Sequence, residues 1–187
     1  MKMSVLPTKL KGVFEIEVEA FSDHRGYLAR VYDKSILESL EPYMEWVQES
    51  IQSAYKKNTL RGLHISLPPF EEGKVITATR GEVIWVVVDV RKESPTFGKW
   101  DALTLSAERH NILYVKRGFA HGSLSLTDNC QLFIKASNFY SYEYSTGIIW
   151  NDRTLNIAWP LEGEPIMSEA HARYGTFKAF VEKYGGL

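Results

Sequence analysis

The sequence predicts a mostly β protein, folded as a sandwich or a barrel, with a helix at its carboxyl end. Segments of strand length recur along the chain, and turn residues such as Ser94-Pro95-Thr96 and Asp128-Asn129 separate them. Many short strands at such spacing are typical of sandwiches and barrels. Residues 168–184 instead combine helix-favouring side chains with regularly spaced aromatic residues, which predicts the terminal helix.

The individual strand predictions depend on two kinds of pattern. Residues 13–18 alternate apolar and acidic side chains, as a half-buried strand does. Residues 83–90 are apolar at both parities, which predicts a strand covered on both faces, with Arg80-Gly81-Glu82 as a tight turn before it. A short surface helix is predicted at 34–40, ended by Pro42. The other predicted strands are 26–32, 46–51, 74–79, 81–90, 103–106, 111–115, 122–126 and 131–137.

The composition fits a single domain spanning 1–187. The 22 Lys and Arg residues nearly balance the 23 Asp and Glu residues, which argues against nucleic acid or a membrane surface as a partner. No apolar stretch is long enough to span a bilayer, and residues 1–10 lack the apolar core of a signal peptide. The lone Cys130 excludes an intrachain disulfide, so we expect a cytoplasmic protein.

Three clusters contain residue types suited to chemistry on an anionic small molecule. In Leu60-Arg61-Gly62-Leu63-His64, a histidine follows an arginine by three positions; histidine is the commonest general base, and the planar donors of arginine fit phosphate. His121 stands just before a glycine in Gly118-Phe119-Ala120-His121-Gly122, and Arg25 lies in the turn Asp23-His24-Arg25-Gly26. Each cluster also has a structural interpretation, as a surface arginine, a satisfied core histidine or a solvated turn. The aromatic stretch around Tyr140 either packs at a strand edge or offers a stacking surface for a nucleobase.

Taken together, these segments resemble the dTDP-4-dehydrorhamnose 3,5-epimerase family over about residues 21–160. The resemblance implies a cupin (jelly-roll-like) β-barrel, a homodimer that exchanges an N-terminal strand, and neither a metal nor another cofactor. A typical cupin metal site has a second histidine two positions after the first, where this chain has Ser66. The matching motifs, in order and with family-like spacing, are Phe21-Ser-Asp-His-Arg-Gly26, Val47-Gln48, Leu60-Arg-Gly-Leu-His64, Lys74, Gly81-Glu-Val83, Asp89-Val-Arg91, Ser94-Pro-Thr-Phe-Gly98, Leu105-Ser-Ala-Glu108, Gly118-Phe-Ala-His-Gly122 and Trp150-Asn-Asp152.

The same resemblance implies a reaction on a nucleotide-linked 4-keto-6-deoxy sugar. The C4 ketone acidifies the protons on C3 and C5, and an epimerase removes such a proton on one face and returns one on the other. By resemblance, His64 is the base, and Lys74 is a cation that stabilises the enolate oxygen. The expected substrate contacts are Arg25, Gln48, Arg61 and His121, to which the aromatic stretch adds Tyr140.

The sequence departs from the family at positions that matter for this chemistry. The tyrosine that acts as the family's acid is replaced by Ile134, which cannot donate a proton, so inversion of one centre, such as C3, is a candidate outcome beside inversion of C5 or of both. The carboxylate that orients the base falls near His171. The remaining departures are Arg30 for a glutamate, Ser50 for an asparagine and Trp85 for an aspartate.

Three questions stay open at the level of sequence. The nucleotide is dTDP, GDP or CDP, because Arg30 and residues 138–145 alter the neighbourhood of the base. A water or the hydroxyl of Tyr140 or Tyr55 is a candidate for the missing acid. A nucleotide-sugar 3,4-ketoisomerase, which moves the carbonyl through the same enolate, and a non-catalytic sugar-nucleotide-binding cupin are the alternative functions.

Overall fold

The computed structural model describes residues 1–187 as a succession of short strands with three helices. The helices are α1 (Lys34–Leu40), α2 (Glu169–Ala172) and α3 (Phe177–Tyr184). The strands are β1 (Met3–Pro7), β2 (Val13–Val18), β3 (Phe21–Asp23), β4 (Gly26–Leu28), β5 (Gln48–Ala54), β6 (Leu60–Ser66), β7 (Lys74–Arg80), β8 (Glu82–Asp89), β9 (Trp100–Ser106), β10 (Ile112–Val115), β11 (Phe119–Ser125), β12 (Cys130–Ala136) and β13 (Ser145–Gly147).

Two antiparallel sheets form the body of the protein. The larger has the strand order β1-β2-β10-β7-β12-β5, and the smaller has the order β13-β6-β11-β8-β9. Their facing sides bury an apolar cluster that includes Ile76, Trp85, Leu113 and Leu132. This arrangement confirms the predicted mostly β, jelly-roll-like fold. No helix of the chain is long and apolar enough to cross a membrane.

The outer side of the smaller sheet is covered by the carboxyl-terminal helix α3. Phe177 and Phe180 of α3 pack on Val86 and Val88 of β8, whereas Trp85 and Val87 face the other way into the cluster between the sheets. Strand β8 is therefore apolar at both parities because one face packs on a sheet and the other on a helix. The prediction of a strand covered on both faces is confirmed.

Several predicted elements have different bounds in the structure, and two of them differ for reasons that the pairing shows. The helix predicted at 168–184 is divided into α2 and α3, because Gly175 between them forms a parallel bridge with Ile148 and its carbonyl accepts from the amide of Ile149 at 2.8 Å. The side chain of Thr176 then caps α3. The strand predicted at 26–32 ends at Leu28, since β3 and β4 pair only with each other. Strands β1, β3, β6 and β13 were not predicted.

Candidate active site

His64 lies in the middle of the smaller sheet, where β6 pairs with β11 on one side and β13 on the other. In this register His64 is opposite both His121 and Gly147. The pairing with β11 shifts after His121, and Gly62 lies in this irregularity with φ +103°. A side chain at Gly62 would collide with the carbonyl of His121. The glycine of the Arg61-Gly62-Leu63-His64 motif thus permits the close strand contact that brings the two histidines together.

The largest pocket near His64 has a volume of about 620 Å³. Its deep end continues into a smaller space lined by Phe119 and His121, and His64 and Lys74 line both spaces. The structure therefore brings together three residues that the sequence analysis selected from separate motifs. The main pocket is lined by His64, Ser66, Glu72, Lys74, Tyr140, Tyr142, Glu143, Ser145, Ala170, His171 and Tyr174.

His64 is hydrogen-bonded to a second histidine. Its Nε2 lies 2.8 Å from Nε2 of His171, which belongs to α2, and the ring of Tyr174 stacks on His171. Between two neutral imidazoles, one nitrogen donates and the other accepts. When His64 donates, its Nδ1 keeps a free lone pair, which is the state that a general base requires. The Nδ1 of His171 then bears a proton; this atom is buried and has no protein partner.

The environment keeps both histidines neutral. Burial, together with the positive charges of Lys74, Arg61 and, when it is protonated, His171, lowers the pKa of His64 to about 3. Burial and the charge of Arg61 also lower the pKa of His171. Because neither imidazole is protonated near neutral pH, His64 is available to accept a proton.

Lys74 is the cation of the pocket, and its partner is Glu72. The ammonium Nζ lies 2.9 Å from a carboxylate oxygen of Glu72, which also accepts a hydrogen bond of 2.9 Å from the hydroxyl of Ser66. The side chains of Lys74 and Glu72 are only 17% and 11% exposed, so solvent screens their interaction weakly. The ion pair with Glu72 therefore fixes the position of the Lys74 ammonium at the wall of the pocket.

His121 at the deep end contacts Trp85 of β8. The indole Nε1 of Trp85 donates to Nδ1 of His121 over 3.3 Å, and both side chains are buried. Nε2 of His121 has no protein partner. Burial, with the charges of Lys74 and His64, lowers the pKa of His121 well below its ordinary value.

The other predicted site residues have more varied positions. Tyr140 lines the pocket, and the side-chain oxygen of Gln48 accepts from the amide of Tyr140 at 2.7 Å. Arg61 donates to the carbonyl of Ser53 and lines a separate small cavity rather than the main pocket. Arg25 lies on the exposed β3–β4 turn, where its guanidinium pairs with Asp23 at 2.6 Å, and it does not line the pocket.

Sequence reasoning missed several pocket residues, among them Glu72 and Tyr174. Glu72 stands two positions before Lys74, so an acidic residue immediately before the motif lysine was an available signal. Tyr174 follows His171 by three positions, but the break between α2 and α3 decides where its ring lies. The other candidate hydroxyl, that of Tyr55, is 79% exposed and outside the pocket.

Ile134 shares a sheet face with Lys74, although it is not among the residues that line the pocket. It is opposite Ile76 in the pairing of β12 with β7, while Lys74 is opposite Ala136 in the same pairing. Since alternate residues share one face of a strand, Ile134 projects from the same face as Lys74.

Arg30, another departure from the family pattern, pairs with Asp33 at the amino end of α1. No group of three or more His, Cys, Asp or Glu side chains is arranged to hold a metal ion.

Comparison with known proteins identifies a consistent set of relatives. The protein-family profile described as dTDP-4-dehydrorhamnose 3,5-epimerase matches residues 7–179. A dTDP-4-dehydrorhamnose 3,5-epimerase of Shigella flexneri is 39% identical over 168 residues, which are 89% of this chain and 92% of the relative.

Two solved structures are also similar. That of dTDP-6-deoxy-D-glucose-3,5-epimerase from Legionella pneumophila, in complex with dTDP-4-keto-L-rhamnose, has a TM-score of 0.92 at 29% identity and covers 97% of this chain and 96% of its own. The 3'-monoepimerase ChmJ from Streptomyces bikiniensis has a TM-score of 0.89 at 30% identity, with 96% and 90% covered. ChmJ was solved with dTDP-quinovose and, as a double mutant at a histidine and a tyrosine, with dTDP.

Proposed function

Because the chain belongs to the dTDP-4-dehydrorhamnose 3,5-epimerase family and is an epimerase of nucleotide-linked 4-keto sugars, we propose that it inverts C3 alone, with His64 as the base. The observation that carries this proposal is the convergence of His64, Lys74 and His121 on one pocket. The similarity to ChmJ, a 3'-monoepimerase, supports restriction to one centre.

The proposed reaction begins at Nδ1 of His64, since its Nε2 is engaged with His171. Nδ1 removes the proton from C3, and the electrons of the C–H bond move through the C3–C4 bond to the ketone oxygen. The ammonium of Lys74 stabilises the resulting enolate oxygen. A proton then reaches C3 on the opposite face from water or from the hydroxyl of Tyr140, and the carbonyl re-forms. His64 returns its proton to solvent, and Tyr140, when it is the donor, regains a proton from solvent.

The proton-return step depends on what stands at Ile134. The two residues substituted in the ChmJ double mutant are a histidine and a tyrosine, and they are separated by the same number of positions as His64 and Ile134. ChmJ is a 3'-monoepimerase, so a tyrosine at this position is compatible with inversion of C3 alone. An aliphatic side chain can neither give nor accept a proton, so in this chain the returning proton must come from another group.

A dTDP-linked sugar is the proposed substrate, with GDP- and CDP-linked sugars as the alternatives. The similar structures were solved with TDP, with dTDP or with dTDP-sugars. In this chain, Tyr140 and Tyr142 line the pocket and are 61% and 85% exposed, so their rings are accessible to stack on a base.

We also propose that the enzyme is a homodimer whose β3–β4 hairpin reaches a second copy. Phe21, Tyr27 and Leu28 of this hairpin are 61%, 61% and 63% exposed, and no third strand pairs with it. An isolated two-stranded hairpin with exposed apolar residues is marginally stable unless something covers it. In such a dimer Arg25 would contact substrate in the partner's pocket, and sedimentation equilibrium of the purified chain tests the assembly.

A cytoplasmic location stays a prediction from the single buried thiol of Cys130.

Incubation with dTDP-, GDP-, CDP- and UDP-linked 4-keto-6-deoxy sugars in deuterated water tests the function. We expect deuterium and inversion at C3 but not at C5, with the dTDP sugar reacting fastest. Deuterium at both centres with both inverted would contradict the one-centre proposal. A shifted ketone in the proton NMR spectrum would indicate a 3,4-ketoisomerase, and binding without any exchange would indicate a non-catalytic protein.

The variant Ile134→Tyr provides the matched test of the proton-return step, with Ile134→Phe as its control. The tyrosine hydroxyl should raise the rate of exchange and inversion at C3, whereas phenylalanine fills similar space without a proton donor. Equal rates in the two variants would mean that residue 134 does not take part in proton return.

A further inference from the structure

Trp85 contacts His121 at the deep end of the pocket, and this contact determines which nitrogen of the imidazole carries the proton. The indole Nε1–H is only a donor, so in the 3.3 Å contact with His121 the Nδ1 atom of the imidazole must be the acceptor. The neutral imidazole carries its single proton on one nitrogen, and with Nδ1 accepting, that proton is on Nε2.

The surroundings of His121 prevent the alternative of a doubly protonated ring. Its side chain is 4% exposed, and Lys74, a cation, lines the same space. Burial and this neighbouring charge lower the pKa of His121 well below its ordinary value. The ring is thus neutral, and Nε2–H is a fixed donor that does not depend on pH near neutrality.

The donor that this arrangement creates is unused by the protein. Nε2 of His121 is buried and has no protein partner, although buried polar atoms in proteins are nearly always hydrogen-bonded. His121, His64 and Lys74 all line the inner space of the pocket. An oxygen atom of a ligand placed there would receive the proton of Nε2 and remove the cost of the unpaired donor.

We propose that Trp85 is a positioning residue that holds His121 as a neutral hydrogen-bond donor to the C4 oxygen of the 4-keto sugar. This inference rests on the proposed function and deepens it. As negative charge develops on the C4 oxygen, the hydrogen bond from Nε2 strengthens alongside the charge of Lys74. An aspartate at position 85 would instead accept from Nδ1–H, and a neutral His121 would then present only a lone pair to the substrate.

The tautomer can be measured without substrate, so this test is independent of turnover. Long-range ¹H–¹⁵N NMR spectra of ¹⁵N-histidine-labelled protein, with His121 assigned by its absence in His121→Asn, should show a protonated Nε2 and a bare Nδ1 between about pH 6 and pH 8. A protonated Nδ1 in the wild-type protein would overturn the proposal even if the enzyme is an epimerase. Conversely, the expected tautomer without any sugar exchange would overturn the proposed function and leave the tautomer assignment standing.

The variant Trp85→Phe removes the indole N–H and keeps an apolar ring. We expect His121 to become a mixture of tautomers and the kcat for C3 exchange to fall about tenfold with KM little changed, a smaller loss than deletion of a whole donor. Trp159→Phe is the matched control, because the indole of Trp159 donates to the carbonyl of Trp150 and not to His121. Equal losses in the two variants would show that the Trp85 effect is structural.

The variant Trp85→Asp tests the same inference through pH. Its carboxylate would accept from Nδ1–H, so Nε2 of His121 could donate only in the protonated ring. The kcat should therefore fall as pH rises and His121 loses its second proton, a limb that the wild-type protein lacks. A flat profile in Trp85→Asp, with His121 shown by NMR to be bare at Nε2, would contradict the role of this donor.

Discussion

Two buried polar clusters of this protein differ in how completely their hydrogen bonds are satisfied. At the end of β8, the carboxylate of Asp89 is fully buried and accepts from the guanidinium of Arg91 at 2.6 and 2.9 Å, from the hydroxyl of Ser94 at 2.5 Å and from that of Thr96 at 2.6 Å. Burial alone would raise the pKa of Asp89, but these hydrogen bonds outweigh it and lower the pKa.

The cluster around His64 is left incomplete. The buried side-chain atoms without a protein partner are Nε2 of His121, Nδ1 of His171 and Nε of Arg61, and the first two belong to pocket residues. Both clusters contain motifs of the family-like pattern, so sequence similarity alone does not separate them. All groups of the Asp89 cluster have hydrogen-bond partners, so we infer that this cluster stabilises the fold. The pocket cluster has unpaired hydrogen-bonding atoms, which a ligand can pair with.

The largest expected effect is on chemistry at the unsatisfied cluster. His64→Asn removes the base and keeps a side chain that can bond to His171, so C3 exchange should fall about 10³-fold, as is usual for loss of a general base. Solvent-deuterium incorporation measures the loss. A thermal midpoint close to that of the wild type would show that the fold is retained, and residual exchange within tenfold of the wild type would exclude His64 as the base.

The next effect is on stability at the satisfied cluster. Asp89→Ala leaves the guanidinium of Arg91 and two hydroxyls without their acceptor, which should lower the free energy of unfolding by about 3 kcal/mol. Urea denaturation measures this change, and the rate of C3 exchange per folded molecule should stay near the wild-type value. Glu182→Gln, which breaks the exposed pair with Lys178 on α3, is the control and should barely change the midpoint. Loss of activity without loss of stability in Asp89→Ala would reverse the assignment of the two clusters.

The sequence predicted the regular parts of the fold because their side-chain patterns are local. The bounds of β2 and α1 agree with prediction, since alternation at 13–18 and Pro42 after the helix are visible in the chain itself. The break at Gly175 was not predictable, because it depends on pairing with Ile148, which is distant in sequence. Strand β6 was missed because its residues, among them Gly62, do not alternate and follow an irregular pairing with β11.

The residues of the candidate site were predictable, but most of their partners were not. Residue types indicated His64 and His121, the family resemblance added Lys74, and the structure brings the three to one pocket. The resemblance also placed His171 near the base, whereas the hydrogen bond from Trp85 to His121 joins β8 and β11 and is indicated by no local pattern. These partners determine protonation state, and protonation state determines what each histidine can do.

The smallest predicted effect concerns His171, the neutral partner of the base. A base works only while unprotonated, and with a pKa of about 3 His64 stays unprotonated throughout the range from about pH 5 to pH 8, so the wild-type rate should not fall on acidification there. His171→Asp places a carboxylate near the imidazole, which favours the protonated form and raises the pKa of His64. The rate of C3 exchange should then decrease as pH falls through this raised pKa, to about a tenth of its neutral value near pH 5.

The control for this change is His171→Asn, which offers a hydrogen-bond acceptor without a charge. Its rate should remain level over the same pH range, because an uncharged partner does not favour protonation of His64. If both variants retain level profiles and a native thermal midpoint, the partner at 171 does not influence the base. If only the aspartate variant loses activity in acid, the flat pH response of the wild-type site depends on the neutral histidine at position 171, because a carboxylate there raises the pKa of His64.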